Sequence, residues 1–219
     1  MPAKKVLALA LAVSAAALCV GFGYSDVSKS IIETARQTEP VNYNQADQDP
    51  ALVENNKNGR FSPLSAVEAV MRLRYRQITH VNPQDLDDLS QRKDVVLLDV
   101  REQAEYEVSH LAGAIRIDPK ADTQTVLDLA GDVSGKAVVF YCSVGARSST
   151  MAQRVRQTLA SQGAAGVYNL SGGIFRWHNE ERALYNQSTP TSLVHKFDGY
   201  WGRLLRRKDL AITNPVQKQ

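Results

Sequence analysis

The 219-residue chain has two cysteines, Cys19 and Cys142. Cys19 lies in an apolar N-terminal run, so the remainder carries a single thiol. One thiol excludes an internal disulfide framework, and no Cys/His spacing suits zinc. Neither a metal nor another cofactor is expected. A strong charge excess is also missing, since the formal net charge is +3. The basic groups are few and no recognised nucleic-acid motif accompanies them, which argues against a nucleic-acid partner. There is no internal repeat. With 43% hydrophobic and 22% charged residues, the chain suits one ordinary soluble domain with extensions, or two small domains.

The charge is unevenly spread. Residues 78–186 hold eleven basic and fourteen acidic groups, net −3, whereas 187–219 hold six and two, net +4. The middle is a mildly acidic globular segment and the tail is basic.

Lys4 and Lys5 precede Val6–Gly23, which carries no charge. This is the pattern of an export signal, and lysines before the apolar run place the rest of the chain on the translocated side. Its 18 residues are at the short end for a bilayer span and above a typical signal core. A cleaved signal and a retained anchor both stay open. The expectation is an exported protein, periplasmic or attached to the membrane by residues 6–23. Cys19 suggests lipidation, but Leu18 stands where a small residue is wanted.

Residues 1–25 thus form the targeting segment. Residues 26–77 read as a polar linker followed by a packing helix, in which Ser62 caps and Pro63 opens "SPLSAVEAVMRLRYRQ". From Ile78 to about residue 186 strands alternate with helices. "VVLLDV" and "KAVVFYC" are continuous apolar runs, as in strands buried on both faces. Asn82 and Pro83 open a helix, and Gly163 ends the one that begins near Ser148. The pattern predicts an α/β fold with a doubly wound, mostly parallel sheet flanked by helices. Residues 187–219 are a basic extension, read as a C-terminal helix packed on the domain with its cations in water. A membrane or partner contact is its alternative.

In "VVFYCSVGARSS" a buried strand ends on Cys142, at the sheet edge where ligands bind. The N–H groups of Ser143, Val144, Gly145, Ala146, Arg147 and Ser148, with the adjoining helix start, can form one anion-binding concavity. Such a nest lowers a thiol pKa. Gly145 permits the tight turn, and Arg147 adds a planar fork of donors. A buried structural cysteine is the bland alternative. The strand–Cys–Gly–Arg–helix context favours a nucleophile.

Three stretches resemble the rhodaneses, the sulfurtransferases of the rhodanese homology domain. "LLDVREQAEYEVSHLAGAIRI" is similar to the family's first signature, carried here by Asp99, Arg101, Glu105, Tyr106, His110, Gly113 and Ala114. The Cys142 stretch is similar to its active-site loop, and "LSGGIFRW" to its Gly-Gly-x-x-x-Trp element. Ser109 and Leu111 depart from the usual glycine and isoleucine. The resemblance covers residues 78–186 and implies a single catalytic domain of rhodanese-like fold. It implies sulfur transfer through a Cys142 persulfide, from a small anionic donor to a thiol or cyanide acceptor. Arg147 would orient the donor's oxyanion. "SVGAR" differs from the Gly-rich loop of mercaptopyruvate users, so the implied donor is thiosulfate. Asp99, Arg101, Glu105 and His110 read as structural support, since pairing is how buried charges are tolerated. Trp177 reads as core or pocket wall.

Two other functions compete. Cysteine phosphatases resemble Cys-x5-Arg, and here Arg147 comes one position early, which suits a sulfur-sized group better than phosphate. A non-catalytic docking or regulatory module would be expected to lack the cysteine. A redox sensor would need a second cysteine to resolve a sulfenic acid.

Overall fold

The computed structural model describes residues 62–215. The expected export segment and the polar stretch up to residue 61 lie outside the described residues. Among the described residues no helix is long and apolar enough to cross a membrane. The chain divides into two compact units, Met1–Ala66 and Val67–Gln219. Residues 62–66 are the described part of the first and belong to the opening of helix α1 (Pro63–Arg74). There Ser62 Oγ accepts from the Leu64 N–H.

The second unit carries the alternation. It runs β1 (Thr79–Val81), α2 (Pro83–Arg92), β2 (Val95–Asp99), α3 (Gln103–Val108), β3 (Ile115–Arg116), α4 (Thr123–Ala130), β4 (Ala137–Tyr141), α5 (Ala146–Ser161), β5 (Gly166–Leu170) and α6 (Gly173–Asn179). The sheet order is β1-β5-β4-β2-β3, and every neighbouring pair is parallel. Helices flank it, as an all-parallel sheet requires. The central strand β4 is buried at all five positions, which is why it reads as an unbroken apolar run. Each edge strand has one neighbour, and both are short: β1 has three residues and β3 two. The longer runs read at "ITHV" and "GAIRID" therefore fray where no second ladder holds them.

Local chemistry sets several element ends. Asn82 Oδ1 accepts from the Asp85 N–H while the Asp85 carboxylate accepts from the Asn82 N–H, a reciprocal cap on α2. Asp122 caps α4 in one direction, its Oδ1 accepting from the Thr125 N–H. Helix α5 ends at Ser161, and Gly163 takes a left-handed φ of +88° just after it. Beyond Val67 the packing helix docks through Tyr75, whose hydroxyl lies 2.7 Å from Thr150 Oγ1, and through Arg72, which donates to Ser171 Oγ.

The basic extension differs from the helix read in the sequence. It forms a hairpin with the domain's last residues, β6 (Leu184–Asn186) and β7 (Thr189–Thr191), then β8 (Val194–His195) paired in parallel with β9 (Ala211–Ile212). Two 3-10 turns, Trp201–Leu204 and Lys208–Leu210, lie between β8 and β9. Gly199 and Gly202 weaken any longer helix here. Packing itself is present: Trp201 and Leu205 are buried. Asn179 of α6 donates to Leu204 O and accepts from the Arg206 N–H.

Candidate active site

The chain winds outward from two adjacent strands, β2 toward β3 and β4 toward β5. Their carboxyl ends therefore flank the switch point of the sheet, where open α/β folds bind ligands. Asp99 closes β2 in register with Tyr141, which closes β4. The two chemistry-bearing motifs of the sequence thus emerge side by side.

The first is a charge clamp. Arg101 donates from Nε and Nη2 to the two carboxylate oxygens of Asp99 at 2.8 and 2.6 Å, and both side chains are wholly buried. Its remaining donors reach Ser109 O and Glu105 O. The clamp ties the end of β2 to the middle of α3 and to the residue just past its C-terminus. His110 stacks on Tyr106 with centroids 4.0 Å apart and pairs its backbone with Tyr185. Its ring nitrogen Nδ1 lies 3.2 Å from Tyr106 O, so its bonds belong to α3 and β6 rather than to the Cys142 loop.

The second motif is the loop from Cys142 to Gly145. Gly145 adopts φ +96° and caps α5, which begins at Ala146, two residues before the start expected near Ser148. The left-handed glycine lets the helix start immediately after the turn. Arg147 consequently sits in the first helical turn. A Cβ on Gly145 would lie 3.1 Å from Asn169 Nδ2, so the turn is tight as well as left-handed. Val144 and Ala146 are buried. Their backbone, not their side chains, is what the loop can offer a ligand.

Cys142 is 1% exposed, and its Sγ accepts from the Gly145 N–H at 3.2 Å. Burial pushes the thiol pKa up. The Arg147 charge and hydrogen bonding from Ser148 and the Val144 N–H outweigh it, so the pKa ends below that of an ordinary cysteine. The Ser148 hydroxyl donates to Asn169 Oδ1 at 2.6 Å. Its one proton has two acceptors to choose between once the thiol ionises. Asn169 lies 3.2 Å through Nδ2 from His80 Nδ1. Burial holds the His80 pKa down to about 4, so the ring is neutral near pH 7 and accepts from the amide.

Arg147 is not a free fork. It donates to both Glu105 oxygens at 2.7 and 2.8 Å and to Ser143 Oγ at 2.9 Å. Ser143 Oγ in turn donates to Glu105 Oε1. The fork expected to orient a donor's oxyanion is thus already engaged by a buried carboxylate, which neutralises its charge. Burial alone would raise the Glu105 pKa; hydrogen bonds and charge from Arg147, with Arg101 and Ser143, bring it down to about 2. Glu105, read as support for the sheet edge, is therefore the joint between the two motifs.

Several participants are not evident from sequence. Gly173 opens α6 so close to the loop that a Cβ would meet the Cys142 carbonyl oxygen at 2.1 Å. The N–H groups of Ile174 and Phe175 donate to Cys142 O and Ser143 O. The Gly-Gly pair of "LSGGIFRW" is the signal that could have found them. Phe197, in the basic extension, lays its ring 5.0 Å from the Arg147 guanidinium carbon. Nothing in the tail's composition announces that. Trp177 is half-buried rather than core: its Nε1 donates to Ala183 O and Arg182 lies over its ring.

A parallel sheet with a cysteine-bearing loop at its switch point is the architecture of a rhodanese-like domain. The profile of the Rhodanese-like domain family matches residues 82–180. The chain is 35% identical over 103 residues to the thiosulfate sulfurtransferase GlpE of Coxiella burnetii, covering 47% of this chain and 87% of that protein. It belongs to the rhodanese-like family. Similarity also extends to a tRNA uridine(34) hydroxylase of Cytophaga hutchinsonii, 31% identical over 47% of this chain but only 32% of that protein. Among solved structures, the thiosulfate sulfurtransferase of Pseudomonas aeruginosa superposes with a TM-score of 0.44 at 22% identity, covering 58% of this chain and 23% of that one. The polysulfide-sulfur transferase homodimer of Wolinella succinogenes gives 0.40 at 22%, with 55% and 88% covered.

Proposed function

We propose that the protein is a sulfurtransferase that moves sulfane sulfur from a small anionic donor, thiosulfate, to a thiol or cyanide through a persulfide on Cys142. The observation that carries this reading is the Cys142 thiol itself. It is buried at a strand end, accepts the Gly145 N–H, and has its pKa lowered by Arg147 and the helix start.

In the first half-reaction the Cys142 thiolate attacks the outer sulfur of thiosulfate. The new Sγ–S bond forms as the donor's S–S bond breaks, and sulfite leaves with the electron pair. The persulfide anion then lies over the loop N–H groups of Ser143 to Ser148, a preorganised set of donors. In the second half-reaction the acceptor attacks the terminal sulfur and Cys142 departs as thiolate. With cyanide the product is thiocyanate. Arg147 stabilises both anions from within its pair with Glu105, so its role is the local potential rather than a direct clamp on the donor.

Intact mass after thiosulfate treatment tests the reading. The expected result is a gain of one sulfur atom in the wild type and none in Cys142→Ser, with the sulfur discharged by cyanide. A wild type that never takes up sulfur would favour the docking module. The apolar run behind Lys4 and Lys5 supports an exported location for this chemistry, and fractionation of the full chain tests it.

A further inference from the structure

We propose that Phe197, which lies outside the rhodanese-like segment, is a positioning residue for Arg147 and thereby sets the reactivity of the Cys142 thiol. The inference rests on the reading of Cys142 as nucleophile.

The geometry begins with the strand pair. β8 lies against α3, so the extension returns to the helix that carries Glu105. His195 is buried, its Nε2 2.6 Å from Thr213 O, and its Nδ1 accepts from the Phe197 N–H. The Lys196 N–H donates to Ile212 O, and Asp198 accepts from the N–H groups of Tyr200 and Trp201 through Oδ1. Phe197 is thus gripped on both sides, by β8–β9 and by the turn that buries Trp201. Between these grips it has φ +65°, a left-handed backbone that a bulky residue rarely adopts. It is 38% exposed, so burial of the ring is not what the strained turn achieves. Its aromatic face meets a guanidinium instead.

Hydrogen bonds fix that guanidinium in its plane, and the aromatic contact fixes its face. Its edge is taken by Glu105 and Ser143, and the Phe197 ring covers its face. A cation on an aromatic face, partly shielded from water, keeps more of its Coulomb effect than a hydrated one. Arg147 on α5 acts on the thiol directly; Arg147 in turn interacts with Glu105 on α3 and with Arg101 of the Asp99 clamp, and His195 on β8 interacts with all three of Glu105, Arg101 and Arg147. His80 on β1 connects through Asn169 and Ser148. Of these, the pair under Phe197 is the one joined to the loop by Ser143.

The test is the pH profile of Cys142 alkylation by iodoacetamide, read on the Cys142 peptide by mass spectrometry. It needs no sulfur transfer, so it stands even if the proposed reaction fails. Phe197→Gly removes the ring and suits the left-handed backbone, so the fold should persist, with thermal unfolding as its control. The expected result is a half-reactivity pH raised by half a unit or more, equivalent to a threefold smaller thiolate fraction below the midpoint. Phe197→Trp should restore the wild-type profile, whereas Phe197→Leu, which keeps bulk without a π face, should resemble the glycine variant. An unmoved or lowered midpoint in a folded Phe197→Gly protein would overturn the proposal. So would a leucine variant indistinguishable from wild type, which would leave only steric cover.

Discussion

Glu105 on α3 and Arg147 on α5 form a two-bond ion pair across 42 residues of sequence, at 2.7 and 2.8 Å. It joins the segment that comes after β2 to the loop that comes after β4, and Ser143 closes the triangle.

Breaking that pair should loosen the loop as well as the charge balance. Glu105→Ala leaves the Arg147 cation without its carboxylate. The expected loss of stability is on the order of 3 kcal/mol, the usual scale for removing one partner of a buried pair. Glu105→Gln, which keeps the shape and one acceptor, should lose less. Urea denaturation of both variants measures the difference. Equal stability in all three proteins would mean the pair is inert.

Arg147→Lys keeps the charge but loses the two-pronged bond to Glu105 that fixes where that charge sits. Sulfur transfer should fall by roughly tenfold or more in kcat/KM, each factor of ten being about 1.4 kcal/mol of transition-state stabilisation. Steady-state thiocyanate formation is the measurement, and wild-type activity in the lysine variant would show that charge alone suffices.

The Asp99–Arg101 clamp is fully buried and should behave as a structural pair. Asp99→Ala strands a buried guanidinium and should cost about 3–5 kcal/mol. Replacing both residues by apolar ones of similar volume should cost less than the single change. A double-mutant cycle in urea reads the coupling.

Stability should fall on acidification in two stages. The His80 pKa lies near 4 in the fold against 6.5 for a free ring. Between those values the unfolded chain binds the extra proton, so stability is lost as pH falls from 6.5 toward 4. Glu105, held near 2 against an ordinary 4.5, adds its stability above 4.5 and loses it as pH falls toward 2. Glu68 acts in the opposite sense, since burial raises its pKa despite Arg176. His80→Asn, which retains an acceptor for Asn169, should flatten the upper stage. Urea midpoints from pH 7 to 4 would show an unchanged slope if His80 does not titrate there.

Much of the site is legible in one strand and one loop. The five apolar residues of β4, the left-handed need at Gly145 and the placement of Cys142 at a strand end are local facts, and local facts survive in sequence. The features that stay hidden depend on distance. Glu105 reads as an edge support because its partner is 42 residues away. Arg147 reads as available because no spacing rule reveals that a carboxylate is already bound to it. Phe197 sits in an irregular tail without helical or strand periodicity, so neither pattern points to its face. The helix start at Ala146 goes unannounced because a left-handed cap needs no Ser, Thr, Asp or Asn to mark it.

The bonds from the first turn of α6 to Cys142 O and Ser143 O have a mechanical consequence. Those two peptide carbonyls are tied to α6, which makes that helix the backstop of the loop. A loop braced in this way has little slack to take up if, as proposed, a second sulfur atom joins the first. In the proposed sulfur transfer, room for a persulfide would have to come from side chains around the 1% exposed Cys142 while the backbone stays in place. On that proposal the cysteine and its loop would act as a fixed perch on which the cargo changes and the protein does not.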